Sequence, residues 1–198
     1  PWREWISRIK TDPATRRLPI VAYSAHVEVD VIKEARSRGA DAVLARSRFI
    51  QDLPHILKKY ARLPDPKTIN AACQEKLSPL ALKGIREFNH GEFFEAHESL
   101  EEAWNEDEGP GRDLYQAILQ LAVAYLQIER GNFNGAEKMF LRLRQWLDPL
   151  PDTCRGVDVK ALKSDALAVH QSLRSLGPAR ISLVDRSLMR PVRYQELA

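Results

Sequence analysis

FNHGEFFEAHESLEEAW, residues 88–104, is the stretch on which the fold turns. At about 100° per residue, Phe93, His97, Leu100 and Trp104 share one stripe flanked by Ala96 and Ala103, which predicts an amphipathic helix over about 92–105. Acidic residues in its first turn suit the helix dipole. His97 is expected within the apolar face, with Glu101 four residues on at its border, where the two can meet along the helix. Glu95, Glu98 and Glu102 are expected to point away, and Ser99 to fall off the core face.

Working outward, Ser78-Pro79 reads as an N-cap followed by proline at the first helical position, which predicts a helix over about 78–89 with Leu80, Leu82, Ile85 and Phe88 inside. On the other side DEGPGR, residues 107–112, is a tight loop. The helix expected at about 113–130 is apolar nearly all round, which marks the buried centre of a bundle. Its exceptions, Gln116, Gln120 and Gln127, line one side. Buried amides need partners, and His97 with Glu101 are the expected ones. Further helices are expected over about 136–147 and 159–176, followed by a tail, 177–198, that docks as an extended arm.

The first sixty residues read differently. A helix end over about 3–10 precedes LPIVAY, residues 18–23, a short β-branched run expected as a strand buried on both faces of a parallel sheet. A helix over about 29–38, a strand at 42–45 and a helix over about 50–60 follow. His26 is expected as a solvent-facing loop residue. Strand, helix, strand, helix alternation implies parallel pairing. Two strands cannot cover themselves alone, so further contacts must come from elsewhere. The organisation is thus an α/β segment at 1–62, a proline-marked linker at 63–77, a bundle of about five helices at 78–176 and the tail: a mainly α chain with a truncated α/β segment in front.

Thirty Lys and Arg against 27 Asp and Glu leave a net charge of +3, too little to argue for nucleic acid. The arginine clusters have no interleaved aromatics for base stacking. No run approaches the roughly 18 apolar residues of a membrane span. The chain opens on Pro1-Trp2-Arg3, with no secretory leader, which suggests a fragment or a processed start. Cys73 and Cys154 have no metal-ligand spacing, and the expectation is two thiols in a reducing cytoplasm, not a disulfide scaffold.

Two resemblances follow from these residues. DPATRRLPIVAYSAH with EARSRGADAVLARSRF resembles the C-terminal half of a response-regulator receiver domain. That resemblance implies a phosphoryl-contacting hydroxyl at Ser24 and puts Arg46-Ser47 where Lys-Pro is usual. The family's phospho-acceptor Asp and acidic pocket lie in strands that have no counterpart in these residues, so phosphotransfer is not expected. Arginine is also no substitute for a compact ammonium at a phosphoryl oxygen. FNHGEFFEAHESLEEAW with LYQAILQLAVAYLQIERGNFNGA resembles, over roughly 80–150, the helical family known as domain of unknown function 309. The position of Gln127 is commonly histidine in that family, and the family carries no assigned reaction.

The chemistry to be expected is therefore narrow. The polar candidates are His97, Glu101, Arg112, Gln116 and Gln120 in the bundle, with Ser24 and Arg46 in the receiver-like remnant. A metal-binding or hydrolytic helical protein centred on His97 and Glu101 is the sharp alternative, since bundle cores can build such sites, but HExxE lacks the second histidine of a zinc protease. No nucleophile and base share a supporting spacing. A signalling or interaction protein with no catalysis and no cofactor, working through a protein partner or a second copy, is the expectation.

Overall fold

The computed structural model describes residues 1–12, 15–25, 28–60 and 65–195. Two compact units divide the chain, Pro1–Leu63 and Pro64–Ala198. The chain is mainly helical, with two small two-stranded sheets among the described residues. His26 and the prolyl stretch at 61–64 lie outside the described residues.

Unit 1 runs α1 (Trp2–Thr11), β1 (Val21–Ser24), α2 (Val29–Ser37), β2 (Ala42–Ala45), α3 (Arg46–Gln51) and α4 (Leu53–Tyr60). β1 and β2 pair in parallel, Val21 opposite Ala42 and Ser24 opposite Ala45. Gly39, at φ +106°, closes α2 in a conformation open to glycine. Asp41 then ties the crossover down, accepting from Lys10 Nζ and from the Ile20 amide, each at 2.7 Å. Those two donors hold its carboxyl below the usual aspartate range. The core is small: Ile6, Ala35, Ala40 and Val43.

The strand at 18–23 is corrected in two respects. It starts at Val21, and it is not buried on both faces, since no residue of β1 is buried and Tyr23 is 51% exposed. The physical reason is the shortage of neighbours: only β2 pairs with β1 among the described residues, so one edge and much of a face stay open.

Unit 2 begins with a helix where only a linker was expected. α5 (Pro66–Ala72) is capped by Asp65, whose carboxylate accepts from the Lys67 amide, and it sends Ile69, Ala72 and Cys73 into the core. α6 (Pro79–Asn89) is capped by Ser78 at the Ala81 amide, 3.1 Å. α7 (Phe93–Glu106) carries the opening stretch, and α8 (Asp113–Glu129) is the buried centre, with ten buried residues from Leu114 to Ile128. α9 (Phe133–Leu147) starts three residues earlier than its apolar pattern, because Asn132 caps it at the Gly135 amide. After the hairpin β3 (Thr153–Cys154) and β4 (Val157–Asp158), α10 (Val159–Leu176) completes the bundle.

The C-terminal segment is more structured than an extended arm. Two short 3-10 stretches, Pro178–Leu183 and Arg186–Leu188, bury Ile181 and bring Val184 and Val192 into the core. Asn89 then acts as a backbone mimic, donating to the Val192 carbonyl at 3.0 Å and accepting from its amide at 2.7 Å. No helix among the described residues is long and apolar enough to cross a membrane.

Candidate functional site

Of the expected α7 stripe Phe93 and Leu100 are buried, with the flanking Ala96 and Ala103, while Trp104 is half-buried, and Glu95, Glu98 and Glu102 face out. Two neighbours differ from expectation. His97 is 31% exposed and not sunk in the apolar face, and Ser99, expected off the core, is buried. Both follow from a face rotated by a fraction of a turn, because α7 packs between α6 and α8 and so buries more than one stripe. His97 Nε2 and Glu101 Oε2 stand 3.9 Å apart, with Glu101 55% exposed. They meet along the helix, at the surface.

The glutamines of α8 do not complete that pair. Gln116, Gln120 and Gln127 are each half-buried. Gln127 Oε1 instead accepts from Asn132 Nδ2 at 2.7 Å, at the α8–α9 turn. Gln120 Oε1 is buried with no hydrogen-bond partner, as are Trp104 Nε1, Tyr125 OH and one carboxylate oxygen of Glu87. Among the described residues no hydrogen bond joins these glutamines to His97. Arg112 lies over the Trp104 ring at 4.8 Å and donates to the Asp107 carbonyl at 3.0 Å, so it braces the α7–α8 loop. Among the described residues no group of three or more His, Cys, Asp and Glu side chains is placed to hold a metal.

The densest polar constellation is one that sequence reasoning missed. Arg155 is 3% exposed, yet its guanidinium is charged and almost fully used. Nε donates to the Ala72 carbonyl at 3.2 Å, Nη1 to Asp107 Oδ2 and to Tyr115 OH, both at 2.5 Å, and Nη2 to Glu75 Oε2 at 2.6 Å. Burial works against the charge, but Asp107 and Tyr115 outweigh it and raise the Arg155 pKa above its ordinary value. Gly111 stands against the same group: a Cβ there would lie 2.7 Å from Nη2. With four of five N–H directions occupied, the guanidinium joins elements and has little capacity left for a ligand.

The backbone beneath it is strained to the same end. Arg155 and Gly156 form the two-residue loop of the β3–β4 hairpin, at φ +52° and +81°. Such loops favour Asn-Gly, so a left-handed arginine is there for its side chain. The Arg155 amide donates to the Cys73 carbonyl at 2.7 Å, and Cys73 is disulfide-bonded to Cys154. The expectation of two free thiols is therefore corrected, and with it goes the thiol argument for a reducing cytoplasm. Eighty-one positions of separation concealed the pair; only the return of the hairpin onto α5 brings the sulfurs together. The readable signal was Cys-Arg-Gly-Val, a tight-turn dipeptide between two core residues.

In unit 1, Ser24 and Arg46 come together as the parallel register demands. Ser24 ends β1 opposite Ala45, and Arg46 follows directly. The Ser24 hydroxyl donates to Glu28, and Arg46 lies over the Tyr23 ring at 5.7 Å. Both line a cleft of about 1020 Å3 whose walls are otherwise mostly apolar, including Trp2, Trp5, Ile9, Ala22 and Ile50.

With this geometry in view, a relationship to known proteins can be stated. Residues 81–139 match the family described as Domain of unknown function (DUF309). The matched stretch runs from α6 through the first half of α9 and includes His97, Glu101, Arg112 and the α8 glutamines. The DUF309 match covers under a third of the chain and includes neither unit 1 nor the Arg155 hairpin. No curated protein matches the chain.

Proposed function

We propose that this chain is a signalling or interaction protein, in which a receiver-like unit 1 supplies a docking face and the DUF309 unit is the output or binding module, without catalysis of its own. One observation carries the reading: the open apolar face of unit 1. Parallel sheets are ordinarily covered on both faces, yet here Trp5 is 69% and Ile50 66% exposed beside a strand, β1, that pairs only with β2 among the described residues. Exposed apolar surface of that kind marks a place where another protein sits. The free edge of β1 is suited to accept a further strand, with main-chain hydrogen bonds supplying affinity and the cleft supplying pockets. Ser24 and Arg46 stand at the strand ends, where a receiver-like segment would present them.

A second copy of the chain is the occupant to test first. Sedimentation of the wild-type protein and of Trp5→Asp and Ile50→Asp, with an apolar-surface dye as parallel readout, is the experiment. The expected outcome is a concentration-dependent oligomer that both variants convert to monomer while circular dichroism stays unchanged. A chain that is monomeric at every concentration and binds no dye would sink the reading.

A metal-binding role centred on His97 and Glu101 is the second reading, favoured by their side-by-side placement at the surface of α7. Elemental analysis of purified protein beside His97→Ala tests it. Stoichiometric metal that disappears in the variant supports it, and metal-free wild type after growth with added zinc rejects it.

A further inference from the structure

Helices α9 and α10 enclose a cleft of about 450 Å3, a size typical of small-ligand sites. Its floor is hydrocarbon: Phe140, Leu143, Leu147 and Ala166, with Leu167 alongside and still 55% exposed. Its polar rim carries three cations, Arg144, Lys163 and Arg174, and the His170 imidazole against a single lining acid, Asp148.

The charge is unevenly compensated along the cleft. At one end Glu137 holds both polar groups: its Oε2 is 2.7 Å from His170 Nε2 and its Oε1 3.5 Å from the Arg174 Nε. The His170 ring is thereby fixed, stacked on Phe140 at 4.8 Å. At the other end Arg144 lies 3.4 Å from Asp148, which leaves Lys163. Its ammonium donates to the Leu150 carbonyl at 2.8 Å and pairs with no carboxylate among the described residues. Lysine has three donors, so a half-buried positive charge with unused hydrogen-bonding capacity stands beside an apolar floor.

We propose that this cleft binds an amphipathic carboxylate, an acyl or arylalkyl acid of medium length. Its hydrocarbon body lies between α9 and α10 against Phe140, Leu143 and Leu167. Its carboxylate accepts from Lys163, with Arg144 beside it. A bare inorganic anion would leave the floor wet, and a neutral hydrocarbon would leave the lysine unanswered; the two features together select the amphiphile. This site is independent of the unit 1 reading and shares no residue with it.

The test uses the full chain, octanoate as probe and 1-octanol as neutral comparator, followed by calorimetry and by amide shifts in the NMR spectrum. Octanoate is expected to saturate a single site, to shift amides of α9 and α10, and to bind about tenfold more weakly to Lys163→Gln, which loses one charge-assisted hydrogen bond. Octanol should bind more weakly than octanoate to wild type and equally to wild type and Lys163→Gln. Leu167→Asp, a change at an exposed position, should weaken both probes. Non-saturating octanoate binding, equal octanoate affinity in Lys163→Gln, or octanol matching octanoate in wild type would each overturn the proposal.

Discussion

At the scale of single residues, two buried polar groups in unit 2 have opposite energetic signs. Arg155 satisfies its neighbours: Asp107, Glu75 and Tyr115 all converge on it. Removing one member of a buried charged group leaves the others desolvated and unpaired, at roughly 3–5 kcal/mol where burial is complete. Glu75 is more than half exposed, so Arg155→Met should cost nearer 2–4 kcal/mol, seen as a lower urea midpoint with little change in slope. Tyr125 is the reverse case. Its ring packs among Phe88, Phe93 and Phe140, but its hydroxyl is buried with no partner, and burial, followed by the nearby Asp165 charge, pushes its pKa well above the ordinary tyrosine value. Tyr125→Phe removes an unanswered donor and keeps the ring, so stability should hold or rise by up to about 1 kcal/mol in the same urea titration. A large loss would mean that the hydroxyl has a partner.

At the scale of elements, the α6–α7 crossing shows packing overruling propensity. Gly84 sits inside α6, where alanine would ordinarily gain about 0.5–1 kcal/mol. A Cβ at Gly84 would lie only 2.6 Å from Leu100 Cγ, however, and Leu100 is fully buried on α7. Gly84→Ala should therefore destabilise, by about 1–3 kcal/mol, the range of an overpacked core. Thermal denaturation decides between the two signs. The same contact explains why α7 buries Ser99 as well as its main stripe: helices in close approach cover a wider face than a hydrophobic pattern alone suggests. α5 makes the parallel point. Its seven residues are too few for a convincing period, so a helix that supplies Ile69 and Cys73 to the core read as a linker.

For the molecule as a whole, the Cys73–Cys154 bond and the Arg155 cluster fasten α5, at the start of unit 2, to the β3–β4 hairpin that precedes α10. Closing so long a loop restricts the unfolded chain, and cross-links of this kind are typically worth roughly 2–4 kcal/mol. Reduction, or Cys154→Ala, should lower the unfolding free energy of unit 2 by that amount, seen as a lower urea midpoint when intact and reductant-treated protein are compared side by side. An unchanged midpoint would mean that the cross-link is not formed in solution. Unit 1 carries no such fastening, and its core of four buried residues with an open sheet face is expected to unfold first, an order that hydrogen exchange would read directly.

What the sequence determined by itself is what local periodicity and capping encode. The α6, α7, α8 and α10 helices, the Ser78 cap and the outward turn of Glu95, Glu98 and Glu102 were legible from spacing and capping, and the parallel pairing of the two short strands from their alternation with helices. So was the proximity of His97 and Glu101, since four residues apart on one helix is a local matter. Tertiary structure alone decided the rest: which sulfur meets which, why Arg155 occupies a glycine-like turn, how far His97 rotates toward water, and that Gln127 pairs with Asn132 instead. Each of those depends on chain segments tens of residues apart arriving at one point. No periodic pattern records such a meeting, because the energy that selects it lies in desolvation and close packing between elements and not within any one of them.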